Sequence, residues 1–181
     1  MRIFDNVMVI VNGFPRSGKD EFFKMCANIG IDRFPDLFIS KISSVDPVKR
    51  AMKELGIEMN IKDDAYRNTA SEIKRIWDEN YDGSLNYIKS MWRRSLITPN
   101  HVLFVDIREP ENIKKVKESF ENVITVFIDR KEAEKNLTAG NESDQNVKKF
   151  EYDFVIDNNG SILDLRIKSR DFLKQIINKY E

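Results

Sequence analysis

Cysteine is nearly absent from this chain, and its single copy, Cys26, cannot close an internal disulfide. It falls on the apolar side of a predicted helix, so a buried structural thiol is expected rather than a nucleophile. Histidine also occurs once, at His101, with no partner near it in sequence and just before an apolar run. A structural or surface histidine is expected there. Net charge is missing as well: thirty basic residues face thirty acidic ones, which removes any general affinity for nucleic acid or anionic membranes. A local basic patch for phosphate remains open. No apolar run approaches the length of a membrane span. Met1 to Asn6 lack the apolar core and small-residue cleavage site of a signal peptide, so the cytoplasm is the expected compartment. No internal repeat or low-complexity tract is visible.

What is present is globular composition: 41% hydrophobic and 33% charged residues in 181 positions, enough for one compact α/β domain over residues 1–181. Short apolar runs read as strands at Val7–Val11, Leu37–Ile42, His101–Ile107, Val123–Ile128 and Tyr152–Ile156. The first does not alternate, which predicts burial on both faces. Helical patterns lie between them. The first runs from about Lys19 to Ile29 and is expected to stop at Gly30; another runs from Pro47 to Leu55, with Asp46 as its cap and Gly56 as its stop. Asp63–Asn80, Leu85–Leu96, Pro110–Phe120 and Ile162–Tyr180 also read as helices, and Trp77 and Trp92 fall among apolar neighbours as core residues. Strands alternating with helices predict a five-stranded parallel sheet in a three-layer α/β/α sandwich. The all-helical stretch of about 47–96 is too long for a simple crossover between strands two and three. Oversized connections of this kind are commonly functional, and ligands of such sheets bind at the carboxyl ends of the strands. A polar excursion, about 131–149, resembles a lid.

The chemistry centres on Val7–Asp20, V-M-V-I-V-N-G-F-P-R-S-G-K-D. An apolar strand leads to Gly13, and Gly18-Lys19 follow at the G-x-x-x-x-G-K spacing of a P-loop, with an amphipathic helix beyond. Gly13 and Gly18 let backbone N–H groups wrap phosphate oxygens, Arg16 and Ser17 lie within the loop, and Lys19 reaches the β- and γ-phosphates. The helix that follows aims its positive dipole end at the same anion, where a lysine with no ligand would oppose that dipole. Asp20 stands where Ser or Thr usually ligates Mg²⁺. Its carboxylate suits a hard cation, directly or through water, and equally suits a general base. Asp106 closes an apolar strand, the usual place for a second carboxylate that holds Mg²⁺ or the nucleophile, with Arg108 turned to the same side. The alternative is a cap for the helix that Glu109-Pro110 introduces. In the helical stretch, Lys49, Arg67, Arg75, Arg93 and Arg94 are candidates for an anionic acceptor, Arg67 and Arg75 lying roughly on one helix face. Most such charges are solvated faces or helix-surface partners.

The Gly18-Lys19-Asp20 ending resembles that of phage-type deoxynucleoside monophosphate kinases and animal-type phosphomevalonate kinases, which share the P-loop kinase fold. The similarity continues in Ser43-Ser44-Val45-Asp46-Pro47-Val48-Lys49, in Lys62-Asp63-Asp64-Ala65-Tyr66-Arg67, and in Val105-Asp106-Ile107-Arg108-Glu109-Pro110-Glu111-Asn112. It ends with Glu142-Ser143 and Asp153-Phe154-Val155-Ile156-Asp157-Asn158-Asn159-Gly160. The resemblance implies transfer of the γ-phosphoryl group of ATP, with Mg²⁺, to a phosphate on a small acceptor, most simply a nucleoside monophosphate. It implies Lys19, Asp20, Asp106 and Arg108 as catalytic residues, Asp20 and Asp106 at the metal, and Arg67 on the acceptor phosphate. Two departures stand out. The excursion has no arginine, only Arg130 at its start, and Glu109 occupies a position that is usually apolar. A kinase of another phosphate ester, such as phosphomevalonate, and a non-catalytic ATP-binding module are the alternatives.

Overall fold

The computed structural model describes residues 4–57, 64–135 and 146–180. The Lys62-Asp63 and Glu142-Ser143 segments of the resemblance, the Gly140-Asn141 pair and the first three residues lie outside them. Five strands form one sheet: β1 (Val7–Asn12), β2 (Phe38–Ser43), β3 (His101–Asp106), β4 (Val123–Asp129) and β5 (Phe154–Asp157). All neighbouring pairs are parallel and the order is β2-β3-β1-β4-β5. The expected α/β architecture is therefore present. The central strand β1 is buried at every position, as its unbroken apolar run requires. The edge strand β2 is mostly half-buried and carries polar residues.

Among the described residues the sheet is flanked by the α-helices α1 (Lys19–Arg33), α2 (Asp46–Glu54), α3 (Asp64–Tyr81), α4 (Gly83–Ser95), α5 (Pro110–Ser119), α6 (Lys131–Lys135) and α7 (Ile162–Tyr180), with a 3-10 turn at Val147–Lys149. Strand alternation divides the core in two. Val9, Val11, Phe104 and Val126 face α1 and α7, meeting Phe22, Cys26, Phe172 and Leu173. Met8, Ile10, Leu103 and Val105 face α4 and α5, meeting Ile88, Ile113 and Val116. Each fully buried large side chain contributes roughly 1.5–3 kcal/mol of transfer free energy. A smaller cluster, Val48, Met52 and Ala70 with partly buried Trp77, joins α2 to α3, and Trp92 packs edge-on against Phe120 at 6.0 Å. Both tryptophans are packing residues.

Two expected boundaries differ. Helix α1 does not stop at Gly30 but continues to Arg33, with Phe34 as its cap. Gly30 stands inside the helix at ordinary φ, facing β2, where an added Cβ would meet Ile39 Cδ1 at 2.7 Å and push that side-chain end aside. Asp46 is not the cap of α2: Val45 is, and Asp46 is the first helical residue. Its carboxylate accepts the Ser43 N–H at 2.7 Å instead, tightening the turn out of β2. The other end of α2 behaves as expected. Gly56 follows the last turn, donating to Lys53 O, while Ile57 N–H reaches Met52 O.

Candidate functional site

The loop between β1 and α1 lies at the carboxyl end of the central strand. Its backbone takes conformations that ordinary residues avoid. Gly13 has φ +150° and Gly18 φ +99°, and an added Cβ at Gly13 would lie 2.6 Å from Ser17 Oγ and 2.7 Å from Ile128 O. Arg16 holds φ +64° with its side chain exposed, a left-handed conformation that costs a non-glycine residue on the order of 1 kcal/mol. Strain of this kind collects where backbone geometry serves a ligand. Lys19 is buried, and its ammonium curls onto the loop, donating to Gly13 O (2.7 Å) and Phe14 O (2.9 Å). The loop thus surrounds a cation with its own carbonyls.

Two polar residues unforeseen in the sequence hold this loop in place. Asn12, fully buried, accepts the Gly13 N–H (2.8 Å) and donates to Arg108 O (3.1 Å) and to the Tyr152 hydroxyl (2.8 Å). That hydroxyl in turn donates to Val147 O at 2.6 Å. Burial raises the pKa of the Tyr152 phenol, opposed by its hydrogen bond with Asn12. Asn158, just after β5, donates to Ser17 O at 2.8 Å. A third contact is apolar: Phe14 packs edge-on to Phe127 at 6.0 Å, with Lys148 Nζ 5.3 Å from its ring centre.

Asp106 ends β3 in register with Val11 on one side and Ser43 on the other. Phe104, two residues earlier, faces α1, so alternation turns Asp106 toward the same layer and the start of α1. Ser17 Oγ and Asp106 Oδ1 are buried oxygens with no hydrogen-bond partner among the described residues. Buried polar atoms are almost always satisfied. Two such orphans at a glycine-shaped loop suit a hydrated hard cation. No group of three or more potential metal-ligating side chains occurs among the described residues. Asp20 is exposed and is ion-paired with Lys41 of β2, which sequence reasoning passed over.

The other candidates separate. Arg108 is half-buried directly after the β3 exit, and its carbonyl takes the Asn12 bond. Arg67 lies exposed on α3, and Lys49 exposed on α2. Arg75 is exposed, clasped by Glu72 (3.0 Å) and Glu79 (2.8 Å) on its own helix. The inward cation of α3 is its neighbour Lys74, buried between Asp78 (2.7 Å) and Glu109 (2.8 Å). Successive helical residues point about 100° apart, so Lys74 can face inward while Arg75 faces solvent, and the eight residues from Arg67 to Arg75 leave the two about 80° apart rather than on one face. Arg93 and Arg94 end α4 beside Ser95, whose carbonyl meets His101 Nδ1 at the amino end of β3, the end opposite the loop. His101 also pairs with Ser40 Oγ at 2.7 Å, and Cys26 is fully buried with its pKa raised by burial; both are structural.

Beside Glu109 an open cleft of about 860 Å³ runs between α3 and the start of α5, reaching Asn146 and Lys149. Among the described residues its walls are polar or charged apart from Pro110, with no aromatic side chain.

No protein-family model and no curated protein sequence matches the chain. Solved structures do. Shikimate kinase from Aquifex aeolicus superposes with a TM-score of 0.53 at 14% identity, covering 96% of this chain and 98% of that one. A gluconokinase from Sinorhizobium meliloti gives 0.53 at 14%, covering 98% and 97%. APS kinase from Mycobacterium tuberculosis, in complex with AMPPNP and APS, gives 0.53 at 14%, covering 94% and 98%. At such identity the likeness establishes the fold, the P-loop NTPase fold of these kinases. It does not single out the deoxynucleoside monophosphate or phosphomevalonate group.

Proposed function

We propose that this chain is an ATP-dependent phosphotransferase acting on a small phosphorylated acceptor. The observation that carries the reading is the loop itself: glycines at positive φ, Lys19 folded onto loop carbonyls, and buried Ser17 Oγ and Asp106 Oδ1 with no hydrogen-bond partner among the described residues. The kinases named in the neighbouring structures and the bound AMPPNP of one of them support a nucleoside triphosphate as donor. Lys19 leaves the carbonyls of Gly13 and Phe14 for the β- and γ-phosphate oxygens, which offer full charges in place of dipoles. Loop N–H groups and the start of α1 hold the same oxygens. Asp106 and Asp20 would hold Mg²⁺, which supplies charge neutralisation to the phosphates. Arg108 at the β3 exit and Arg67 on α3 are the acceptor-phosphate ligands that the sequence resemblance suggests, and in the transfer the bond from the γ-phosphorus to the β-bridging oxygen breaks as one to the acceptor oxygen forms. ADP leaves. The work of the protein is positioning and charge compensation.

A nucleoside or deoxynucleoside monophosphate is the acceptor that the sequence resemblance favours. A second reading, a non-nucleotide phosphate ester of the phosphomevalonate kind, draws support from the cleft beside Glu109, whose walls are polar or charged apart from Pro110 among the described residues. The location that goes with either reading is the cytoplasm. An ADP-release assay over ribo- and deoxyribonucleoside monophosphates and phosphomevalonate decides between them. Acceptor-dependent turnover, abolished in Lys19→Ala, is the expected result. ATP binding without turnover on any acceptor leaves a nucleotide-binding module and refutes the phosphotransferase reading.

A further inference from the structure

Lys41 is out of place on hydrophobic grounds. It sits in the middle of β2, paired in register with Phe104 of β3, and Ser43 beyond it pairs with Asp106. Phe104 belongs to the core that faces α1, so Lys41 and Ser43 point into the same layer as Asp106 and the start of α1. Its side chain is 21% exposed, while the Asp20 carboxylate it pairs with is 83% exposed. The lysine ammonium lies 5.7 Å from the Phe23 ring centre, and Phe23 is held edge-on by Phe104 at 5.5 Å. A wall of two aromatic rings thus directs the lysine stem toward one carboxylate. Most lysines keep their heads in water. This one is delivered from a strand interior to the loop residue that stands where P-loops usually carry a metal-ligating hydroxyl.

We propose that Lys41 is a positioning residue that acts through Asp20: it is a built-in counter-ion that competes with the divalent cation for that carboxylate. The inference rests on the ATP-binding reading above. A carboxylate beside an ammonium is already compensated, and a second cation brought to it meets like-charge repulsion from the first. Asp20 therefore gives the metal less than its charge suggests while Lys41 is in place. Asp106, whose Oδ1 has no partner among the described residues, is the stronger of the two ligands. Asp20 is also held away from a general-base role as long as the ammonium occupies one of its oxygens. Lys41 in this way separates the functions that the sequence left open for Asp20.

The test is the affinity of the full-length protein for a non-hydrolysable ATP analogue, measured by calorimetry in excess EDTA and again in excess Mn²⁺. The ratio of the two affinities reports what the metal adds. Lys41→Met, which keeps the stem and removes the charge, is expected to raise that ratio about two- to fivefold, the range for a partly exposed ion pair. Lys41→Arg keeps a cation and should leave the ratio near the wild-type value. In an Asp20→Asn background, Lys41→Met should change nothing. An unchanged or lowered ratio in Lys41→Met overturns the proposal. So does an effect that persists in the Asp20→Asn background, which would assign Lys41 to the nucleotide phosphates directly. Failure of the wild type to bind the analogue under either condition overturns the ATP reading and this proposal together, a result distinct from the other two.

Discussion

Replacing Asn12 by alanine should be among the most damaging single changes near the site. The side chain is fully buried, and three hydrogen bonds converge on it: from Gly13 N–H at 2.8 Å, to Arg108 O at 3.1 Å and to the Tyr152 hydroxyl at 2.8 Å. An ordinary intramolecular hydrogen bond nets roughly 0.5–1.5 kcal/mol, and a buried partner left unsatisfied costs about 1–3 kcal/mol. Tyr152 keeps Val147 O as an acceptor, so its loss is smaller than that of the Gly13 N–H and the Arg108 carbonyl. The sum is about 3–5 kcal/mol, a large part of the roughly 5–15 kcal/mol by which domains are stable. For a chain of this size the melting temperature should fall by about 6–20 °C, read by circular dichroism. Tyr152→Phe keeps the ring against Phe127 and Phe150 but removes the hydroxyl, and should cost about 1–3 kcal/mol. The two substitutions should be clearly non-additive, because they share one bond. A shift under about 2 °C for Asn12→Ala, or strict additivity with Tyr152→Phe, would refute the claim that this network ties the loop to the β3 exit and the 147–152 segment.

Two further expectations follow from the geometry. Gly18→Ala places a Cβ 2.3 Å from Asn158 Nδ2 in a residue at φ +99°, so Asn158 must release Ser17 O. Affinity for an ATP analogue should fall by tenfold or more, on the order of the 1–2 kcal/mol cost of a left-handed non-glycine residue; equal affinity by fluorescence titration would count against a loop shaped for phosphate. Lys74→Met leaves Asp78 and Glu109 without their shared buried cation and should cost roughly 3–5 kcal/mol. Its pH dependence identifies the cause. Burial works against the charge of Asp78, but Lys74 and the Ser84 N–H outweigh it and hold its pKa below the ordinary carboxyl value. A depressed carboxyl pKa contributes stability that is present above the unfolded value of about 3.9 and lost as pH falls through the lower folded value. The wild type should therefore lose this increment only below about pH 4, and the variant should show a weaker acid dependence there. Parallel pH–stability curves for the two proteins would exclude Lys74 as the source of the shift.

Much of this protein was legible in its linear order, because local rules decide it. The unbroken apolar run of Val7–Val11 had to be a strand buried on both faces, and Gly13 and Gly18 stand where the loop after it turns through positive φ. The limits of α7, Ile162–Tyr180, agree with its periodicity to the residue. The expected end of α1 at Gly30 failed because Gly30 keeps an ordinary φ inside the helix, facing Ile39 of β2. The pairing of charges could not be read from sequence either. Arg67 and Arg75 looked like a pair on one face of α3, but Arg75 is held by Glu72 and Glu79 of its own helix, and Lys74, one position away, is turned inward to Glu109. Asn12 and Asn158 lie inside segments that the sequence singled out and Lys41 in a strand, but nothing in the linear order shows what each of them bonds to. Their importance arises when the order β2-β3-β1-β4-β5 brings Arg108, Tyr152, Asp20 and Ser17 within reach. Sequence alone determined that a glycine-shaped loop follows a buried strand and leads into a helix, since backbone conformation and periodicity are local. Which side chains hold that loop, and which cation faces Asp20, was decided by the tertiary structure, since hydrogen bonds and ion pairs depend on distances that only the packed sheet sets.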